Sequence, residues 1–483
     1  MTNATDATRE QRAPQQLAPA QPVNLPPPGI ARSAARIARI SAGAARQFAP
    51  VAGRKILRRE GDSARAAREL LEGLGSTYVK FGQFIAAAPG IVGEEMAAEF
   101  RTCLDAGPPV PFAEVRRIVE AETGKPLSET FASFGEQPIA AASIAVVHKA
   151  TLRDGSAVAV KVLRPGIEQQ VATDMAILDR FARGLAAAGA DGAYTLVGLV
   201  VSLRAQIAEE LDFRNEATTM DAFRDMFALG DLSMLVVPRA YHESSGRRVL
   251  TMELLDGVAI DDLSAIERMG FPAAPLVREL LRAWVLCSMR VGAFHADIHA
   301  GNMMLLNDGR LGMLDWGIVS RIEGDTMRMF RGLCRAAIGD DSAWPEISDL
   351  MRAANGASFY AIGLTDEDID RFTRATFTPM MTLPVREVNM SDFFMNGDEV
   401  VRRATGQAPP KRTLRDRIQV MRASSKAYRE GAASGVFEHP TLRFGFLSSK
   451  QMIYLERYAR LYIPDELLFG DHDFLRRALD GMI

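Results

Sequence analysis

Two short segments in the second half of the chain constrain its fold most. The first reads F-H-A-D-I-H-A-G-N from Phe294, and the second reads L-D-W-G from Leu314. Four residues separate Asp297 from Asn302, and Asp315 follows a short hydrophobic stretch. A carboxylate can orient the proton of an attacking hydroxyl, while an amide oxygen and a second carboxylate are suitable ligands for Mg²⁺. The spacing predicts a site for phosphoryl transfer from a magnesium-bound nucleotide.

A lysine on a predicted strand supplies the next part of this site. The runs I-A-V-V-H-K-A-T-L and S-A-V-A-V-K-V-L flank Asp154 and Gly155, a dipeptide typical of a β-hairpin turn. Side chains alternate along a strand, so the three valines of the second run face one way and Lys161 faces the other. The sequence V-A-V-K matches the kinase strand whose lysine contacts the α- and β-phosphates and pairs with a helical glutamate. We therefore expect Lys161 to point into a nucleotide cleft.

The glutamate that pairs with the strand lysine is not determined by spacing alone. The candidates lie in E-E-L-D-F-R-N-E, within a predicted helix over residues 196–227. At 3.6 residues per turn, Glu209, Asp212 and Glu216 would share a face, with Glu210 about 100° from Glu209. Several carboxylates therefore remain candidates at this point.

The composition limits the classes of function. With 483 residues, 48% of them hydrophobic, the chain can form a large core and two or three subdomains. Its formal net charge of -3 argues against nucleic-acid binding, which needs a basic surface. Cys103, Cys287 and Cys334 have no metal-binding spacing and are interpreted as buried thiols in a reducing compartment. The lack of a recognisable signal peptide or long apolar segment favours a cytoplasmic protein, soluble or peripheral at the membrane.

Hydrophobic periodicity divides the chain into four parts. Residues 1–29 are rich in Pro and Gln and are predicted to be a disordered tail. Residues 30–137 are predicted to be a helical extension, residues 138–256 a small mixed lobe, and residues 257–483 a larger helical lobe. The first helix places arginines on one side and apolar residues on the other: Arg32, Arg36, Arg39 and Arg46 against Ile30, Ile37, Ala44 and Phe48. It could lie on an anionic membrane or pack on its own domain.

Four motifs together identify a family resemblance. They are Y-V-K-F-G-Q-F with Lys80 and Gln83, P-I-A-A-A-S-I-A at residues 138–145, E-L-D-F-R-N-E at residues 210–216, and the two segments described first. On these motifs the chain resembles the UbiB (AarF-domain) family of atypical protein-kinase-like proteins, linked to ubiquinone and other isoprenoid-lipid pathways. The resemblance extends over residues 70–464 and implies an α+β, bilobal protein-kinase-like fold with a helical N-terminal extension packed over the active-site cleft.

The resemblance implies a role for each matching residue of the nucleotide site. Asp297 would orient the nucleophile, and Asn302 and Asp315 would hold Mg²⁺. Lys161 would clamp the phosphates of ATP, and Glu216 would position Lys161. The cofactors implied are ATP and Mg²⁺.

The resemblance also assigns roles in the N-terminal extension. Lys80 and Gln83 would be gate or active-site residues, and Lys80 would be engaged by an E-x-D element formed by Glu210 and Asp212. The extension would then lie where a kinase receives its peptide.

Two further segments complete the expected nucleotide site. The backbone near Glu253 and Leu255 would receive the purine. At the place of the kinase Gly-rich loop, where glycine permits close approach to phosphates, stand Ala140, Ala141, Ala142 and Ser143. Their Cβ atoms are expected to hinder the usual phosphate cradle.

Two features favour an activity other than phosphorylation of proteins in trans. Ala296 replaces the arginine that reads activation-loop phosphorylation in most kinases, and no convincing A-P-E segment follows Asp315. We expect a slow ATPase or a small-molecule or lipid kinase that supports isoprenoid-quinone or lipid metabolism. An isoprenoid-quinone or lipid ligand, peripheral membrane contact and a homodimer are compatible with this expectation.

Two alternatives remain open from the sequence. One is an aminoglycoside- or choline-kinase-like phosphotransferase, because those enzymes also contain H-x-D-x-x-x-x-N. The other is a non-catalytic scaffold whose shape is set by bound nucleotide. The phosphoryl acceptor, lipid specificity and oligomeric state are not encoded in these motifs.

Overall fold

The fold has a helical extension followed by two lobes, as predicted. The computed structural model describes residues 17, 19–56, 63–86, 93–100, 102–103, 109–190, 193–230, 232–361, 363–388, 397–406 and 440–481, and six positions between 422 and 432. A small lobe built on a four-stranded antiparallel sheet precedes a larger, mainly helical lobe. The α+β kinase-like fold class is therefore confirmed.

The extension is built from four helices: α1 (Ile30–Ile56), α2 (Ser63–Leu74), α3 (Ser76–Ile85) and α4 (Glu94–Phe100). Gly75, at φ 95°, separates α2 from α3 with a backbone conformation that favours glycine. Gly82 lets α3 approach α2 closely, because a Cβ there would lie 2.8 Å from Leu71 Cδ1. The lysine motif is thus carried on a helix held tightly against its neighbour.

The orientation of α1 differs from the predicted separation of arginine and apolar faces. Arg36 turns inward, where its Nε and Nη2 donate to Asp174 at 2.6 and 2.9 Å. Arg36 Nη2 also donates to Leu74 O at 2.6 Å, and the guanidinium lies over the Tyr78 ring. Ile37 instead is 47% exposed. A buried partner for Arg36 therefore decides which side of α1 packs on the protein.

The segment before α1 is not the free tail that its composition predicts. In the described part of residues 1–29, Val23 N donates to Ala208 O at 2.8 Å. Arg321 Nη1 donates to Leu17 O at 2.7 Å. These hydrogen bonds to and from the backbone, which composition does not report, hold this extended segment against the lobes. Residues 1–16 and 18 lie outside the described residues.

The small lobe starts earlier in the chain than the predicted boundary at residue 138. Pro138 lies inside the first strand, β1 (Phe131–Ala141), which is an edge strand where the missing proline N–H is tolerated. The hairpin predicted around Gly155 is confirmed. The sheet order is β1-β2-β3-β5, and the helices and strands of this part are α5 (Phe112–Thr123), α6 (Leu127–Thr130), β1 (Phe131–Ala141), β2 (Ala145–Leu152), β3 (Ala157–Leu163), α7 (Ile167–Ala187), α8 (Ala193–Glu210), α9 (Phe213–Leu229), β4 (Leu235–Val236) and β5 (Val249–Glu253).

The core of the small lobe fixes the direction of the strand lysine. Val158, Val160 and Val162 of β3 are fully buried and pack with the apolar residues of α5. Because side chains alternate along β3, Lys161 lies on the opposite side of the sheet. Burial of the valines thereby directs the lysine into the cleft, as predicted.

The single helix predicted over residues 196–227 is wrong, because the chain breaks between α8 and α9. Asp212 lies at the break with extended backbone and accepts a hydrogen bond from Arg214 N at 3.1 Å, which caps α9. Glu210 therefore ends one helix and Glu216 lies in the first turn of the next. The shared-face relationship expected from a continuous helix does not apply to these carboxylates.

The large lobe places the Asp297 and Asp315 segments at the ends of short strands. The sheet order is β4-β9-β8-β6, and β7 pairs with β10. The helices and strands are β6 (Gly257–Ala259), α10 (Leu263–Met269), α11 (Ala273–Arg290), β7 (Ala293–His295), β8 (Met303–Leu306), β9 (Leu311–Met313), β10 (Val319–Arg321), α12 (Gly324–Ala337), α13 (Trp344–Ala361), α14 (Asp366–Thr382), α15 (Gly397–Thr405), α16 (Pro440–Tyr462) and α17 (His472–Leu479).

Membrane crossing can be examined for the same helices. In the portion of the chain covered by the structure, none of them combines the length and the apolar character that a bilayer span requires.

The buried Arg36–Asp174 pair provides the first prediction. Arg36→Met should lower the free energy of unfolding by about 3 kcal/mol, because it leaves a fully buried carboxylate without its cation. Chemical denaturation and hydrogen exchange of residues 63–85 would measure the loss. Arg32→Met, on the exposed side of α1, is the control and should change stability by less than about 0.5 kcal/mol. Equal losses in the two variants would contradict this role.

Candidate nucleotide site

Lys161 lies at the centre of a charge cluster between the lobes. Its Nζ donates to both carboxylate oxygens of Glu216 at 2.9 Å and to Asp315 Oδ2 at 3.0 Å. The lysine side chain is buried, with the Phe213 ring 5.3 Å away. Burial disfavours the ammonium, but the two carboxylates outweigh this effect and raise the pKa of Lys161 above its ordinary value. The lysine is therefore held charged and in a fixed position.

Glu216 is connected to the L-D-W-G segment as well as to the lysine. Burial, together with the nearby Asp315, raises the pKa of Glu216 to about 7 against the attraction of Lys161. Trp316 N donates to Glu216 Oε1 at 3.3 Å. The Trp316 ring packs 4.7 Å from Phe223, and its Nε1 donates to Met313 O at 2.8 Å. The first turn of α9 and the residue after Asp315 are thus fastened together.

Asp315 is the more accessible of the two carboxylates on the lysine, with 36% of its side chain exposed. Its partial burial disfavours ionisation, but Lys161 and the Gly317 N–H, which donates to Oδ1 at 3.0 Å, outweigh burial. Together they hold the pKa of Asp315 below its ordinary value. This carboxylate is charged and reachable from the cleft, as a ligand for a hard cation must be.

The residues of the predicted catalytic loop are fixed by hydrogen bonds to their own backbone. Asp297 N donates to His295 Nδ1 at 3.1 Å, which gives the buried His295 a structural role. Asn302 Nδ2 donates to Asp297 O at 3.0 Å, and Leu314 N donates to Asn302 O at 2.9 Å. With Nδ2 used in this way, the amide oxygen of Asn302 is the atom suited to a cation, beside the strand that leads to Asp315.

A lysine that the sequence did not single out contacts Asp297 of the predicted catalytic loop. Lys450 of α16 places its Nζ 2.6 Å from Asp297 Oδ1. Burial disfavours the charged form of Asp297, but Lys450, with His299, outweighs it and lowers the pKa of Asp297. Lys450 lies far along the chain in a helical segment without a recognised motif. No local signal therefore distinguished it from a lysine on a solvated helix face.

Lys80 of the extension contacts the end of α8. Its Nζ forms an ion pair with Glu210, whose other oxygen accepts a hydrogen bond from Gln206 Nε2 at 3.0 Å. Both charged side chains are largely buried. Gln83, one turn along α3, donates from Nε2 to Cys103 O at 3.2 Å. The extension therefore reaches the cleft through Lys80, while Gln83 fastens α3 to the segment that follows α4.

Asp212 has contacts of a different kind from those of Glu210. Its carboxylate caps α9 and accepts from Arg214 Nε at 2.9 Å and Nη2 at 2.6 Å. These contacts make Asp212 a helix cap that sets the break between α8 and α9.

The Ala-rich segment forms the tight turn between β1 and β2. Ala140 and Ala141 pair with Val147 and Val146, while Ala142 N donates to Ala145 O at 2.9 Å. Arg164 Nε donates to Ala142 O at 3.1 Å, and Ser143 is buried. The turn that would cover the phosphates is therefore fixed from behind by β3 and its following arginine.

The segment expected to receive the purine joins the two lobes. Glu253 ends β5, and Leu254 N donates to Ala157 O at 3.2 Å, so the backbone up to Leu255 follows the edge of the sheet. Gly257 then passes so close to β8 that a Cβ there would lie 2.1 Å from Leu305 O. Only glycine permits this approach, which sets the path of the interlobe segment.

The donor set fits a magnesium ion shared with a nucleotide. Asp315 supplies a carboxylate and Asn302 an amide oxygen, and Mg²⁺ is commonly held by one or two such ligands together with phosphate oxygens and water. Among the residues described by the structure, no group of three or more His, Cys, Asp or Glu forms a preassembled metal cluster.

Comparison with known proteins assigns the chain to a sequence family. Residues 102–344, half of the chain, match the ABC1 atypical kinase-like domain. An uncharacterized aarF domain-containing protein kinase of Arabidopsis thaliana, described as chloroplastic, is 34% identical over 412 residues, covering 84% of this chain and 73% of the relative.

Bacterial relatives show the same similarity. An uncharacterized protein of Mycobacterium tuberculosis is 38% identical over 322 residues, which cover 66% of this chain and 65% of the relative. A probable protein kinase UbiB of Cellvibrio japonicus is 29% identical over 353 residues, covering 72% of this chain and 62% of the relative. The solved complex of Rv3197 with erythromycin from Mycobacterium tuberculosis is 21% identical, with a TM-score of 0.42 and coverage of 80% and 88%.

The Lys80–Glu210 ion pair provides a prediction about the extension. Glu210→Gln should increase amide hydrogen exchange in Ser76–Ile85 by roughly tenfold, because a largely buried charge-assisted contact between α3 and α8 is weakened. Glu69→Gln, which removes the exposed pair with Arg65 on α2, is the matched control. Unchanged exchange in the first variant would show that Lys80 does not hold α3 in place.

Proposed function

Because this chain belongs to the ABC1 atypical kinase-like family, we propose that it binds Mg-ATP between its lobes and either hydrolyses it slowly or transfers its γ-phosphoryl group to a small or lipid-like acceptor. The observation that carries the proposal is the contact of one lysine, Lys161, with both Glu216 and Asp315. Through Lys161 Nζ, this contact joins β3 of the small lobe, helix α9 and the segment that carries Asp315.

Each residue of the site has a defined part in the proposed reaction. Lys161 binds the α- and β-phosphates, and Glu216 keeps it in position. Asn302 and Asp315 hold Mg²⁺, which neutralises charge on the phosphates when bound. Asp297 accepts the proton of the attacking water or hydroxyl, and the backbone of Glu253 to Leu255 contacts the purine. The Ala-rich turn at 140–143 covers the phosphates.

The position of the extension favours a small acceptor over a protein substrate. Lys80 projects from α3 to Glu210, so α3 lies at the mouth of the cleft. A protein segment would have to displace this helix, whereas water or a small hydroxyl compound would not. Lys80 and Gln83 accordingly act as gate residues in our proposal, one at the cleft and one at the support of α3.

The outer surface of α1 supports a link to isoprenoid-quinone or lipid metabolism, because its exposed side chains are suited to contact with a membrane. Ile30 and Ile37 are exposed there, and Arg32, Arg39 and Arg46 are exposed on the same helix. A helix with exposed apolar and cationic side chains can lie on an anionic membrane surface. Peripheral membrane contact through α1 is therefore part of the proposal.

Turnover of ATP by the purified protein tests the proposal directly. Phosphate release should require Mg²⁺ and rise with anionic liposomes that contain a quinone-like isoprenoid lipid. Asp315→Asn, the blank, should lose roughly a hundredfold or more of the rate because a metal ligand is lost. Asp297→Asn should lose a comparable factor while ATP binding remains measurable, because Asn cannot accept the proton of the nucleophile and the contacts of Lys161 with the phosphates do not depend on Asp297. Binding without turnover under every condition would instead favour a nucleotide-gated scaffold.

The Ala-rich turn provides a second test of the nucleotide site. Ala142→Gly removes a Cβ where the backbone should approach the phosphates, so the ratio of ATP to ADP affinity should rise by about tenfold. Isothermal titration with each nucleotide in Mg²⁺ would measure it. Ala150→Gly, on β2 and packed with the β3 valines on the side of the sheet opposite Lys161, controls for general loosening of the sheet. Equal dissociation constants in the parent and the Ala142 variant would count against a phosphate-covering turn.

A further inference from the structure

Helix α16 runs along the catalytic loop and contacts it at successive turns. Lys450 contacts Asp297, the Tyr454 ring lies 6.3 Å from the His299 ring, and Tyr458 Oη donates to Ile298 O at 2.6 Å. Residues four apart share a face of a helix, so these three side chains form one face of α16 that packs against this loop. The contact of Lys450 is therefore held by the packing of the whole helix.

Lys450 supplies a charge that the catalytic loop itself lacks. The sequence F-H-A-D-I-H-A-G-N contains neither Lys nor Arg. Phosphoryl transfer spreads negative charge over the γ-phosphate oxygens, and enzymes stabilise this charge with a cation positioned beforehand. The Lys450 ammonium is placed to act as such a cation, 2.6 Å from Asp297 Oδ1.

We propose that Lys450 is a catalytic residue whose ammonium binds the γ-phosphate of ATP while Asp297 holds it in place; this inference rests on the proposed function. An ammonium has three N–H donors, so Lys450 can contact Asp297 and phosphate oxygens together. A carboxylate likewise accepts at two oxygens, so Asp297 can face a nucleophile with Oδ2 while Oδ1 holds Lys450.

The surrounding charges favour this placement over an isolated structural ion pair. Lys161 of β3 contacts Asp315 and Lys450 of α16 contacts Asp297, while Lys80 of α3 is paired with Glu210 nearby. Lys80 attracts Asp315 and repels Lys450, so the three ammoniums share one region of the cleft. The three ammoniums are paired with four carboxylates, those of Glu210, Glu216, Asp297 and Asp315, so the cluster suits a polyanion that brings Mg²⁺ with it. In the proposed function Lys161 already serves the α- and β-phosphates. Lys450, at Asp297, is the cation on the side of the nucleophile.

The step is balanced without any further reactant. The oxygen of water or of a hydroxyl acceptor forms a bond to Pγ, and the bond from Pγ to the β,γ-bridging oxygen breaks. The electron pair of that bond leaves with ADP, and the proton of the nucleophile goes to Asp297. Lys450 remains protonated throughout and stabilises the charge on the transferred phosphoryl group.

Nucleotide binding and turnover by Lys450→Met test the proposal. ATP affinity and kcat should each fall roughly ten- to hundredfold, because a charge-assisted contact to the γ-phosphate is lost. ADP, which lacks that phosphate, should bind within about twofold of the parent. Lys450→Arg should restore part of the ATP affinity because it keeps the charge. Arg457→Met removes an exposed cation from the same helix, where it pairs with Asp261, and should leave ATP and ADP binding unchanged.

The other outcomes overturn the proposal in distinguishable ways. Equal weakening of ATP and ADP in Lys450→Met would reduce Lys450 to a structural partner of Asp297. Faster turnover would make Lys450 an inhibitory clamp on Asp297. If Lys450→Met does not fold, the same comparison of ATP with ADP in Lys450→Gln and Lys450→Arg decides. If the parent protein bound ATP no better in Mg²⁺ than the Asp315→Asn variant does, the proposed function would be overturned as well.

Discussion

The interaction on which the site depends is the contact of the Lys161 ammonium with Glu216 and Asp315. Each partner alone would be unfavourable in this position, because burial disfavours a lysine and a glutamate without a counterion. The three charges are stable together only when β3, α9 and the segment after β9 are in place at once. The ion cluster therefore specifies how the two lobes meet. The apolar packing within each lobe places the charged side chains at this interface.

The break at Asp212 is the local feature that makes this cluster geometrically attainable. A continuous helix would have turned Glu210 and Glu216 to different sides, since six residues correspond to about 600° of helical rotation. The cap formed by Asp212 starts a new helix in a new direction, so Glu216 reaches Lys161 while Glu210 remains available to Lys80. The break at a short polar residue thus brings both ion pairs to the same cleft, where Glu210 and Glu216 each lie beside Gly317.

The sequence predicted the parts of the site that rest on local rules. The hairpin around Gly155, the inward valines of β3 and the direction of Lys161 follow from alternation and turn chemistry. It did not predict the break at Asp212, because capping competes with helical periodicity and the pattern of apolar residues runs through the break. It missed Lys450 for another reason: contacts between distant segments leave no trace in local spacing. The inward turn of Arg36 has the same origin, since its partner Asp174 lies far away on α7.

The shared use of carboxylates links metal and nucleotide binding in our proposal. Asp315 is both a partner of Lys161 and a ligand for Mg²⁺, so a metal on Asp315 weakens its hold on the ammonium and leaves Lys161 available to phosphate oxygens. By thermodynamic linkage, a phosphate that draws Lys161 away then strengthens metal binding at Asp315 by the same factor. The same reasoning applies to Asp297, because its partner Lys450 would contact the γ-phosphate as well. Asp315 and Asp297 therefore each hold a lysine in a position from which the lysine can contact the phosphates of a bound nucleotide.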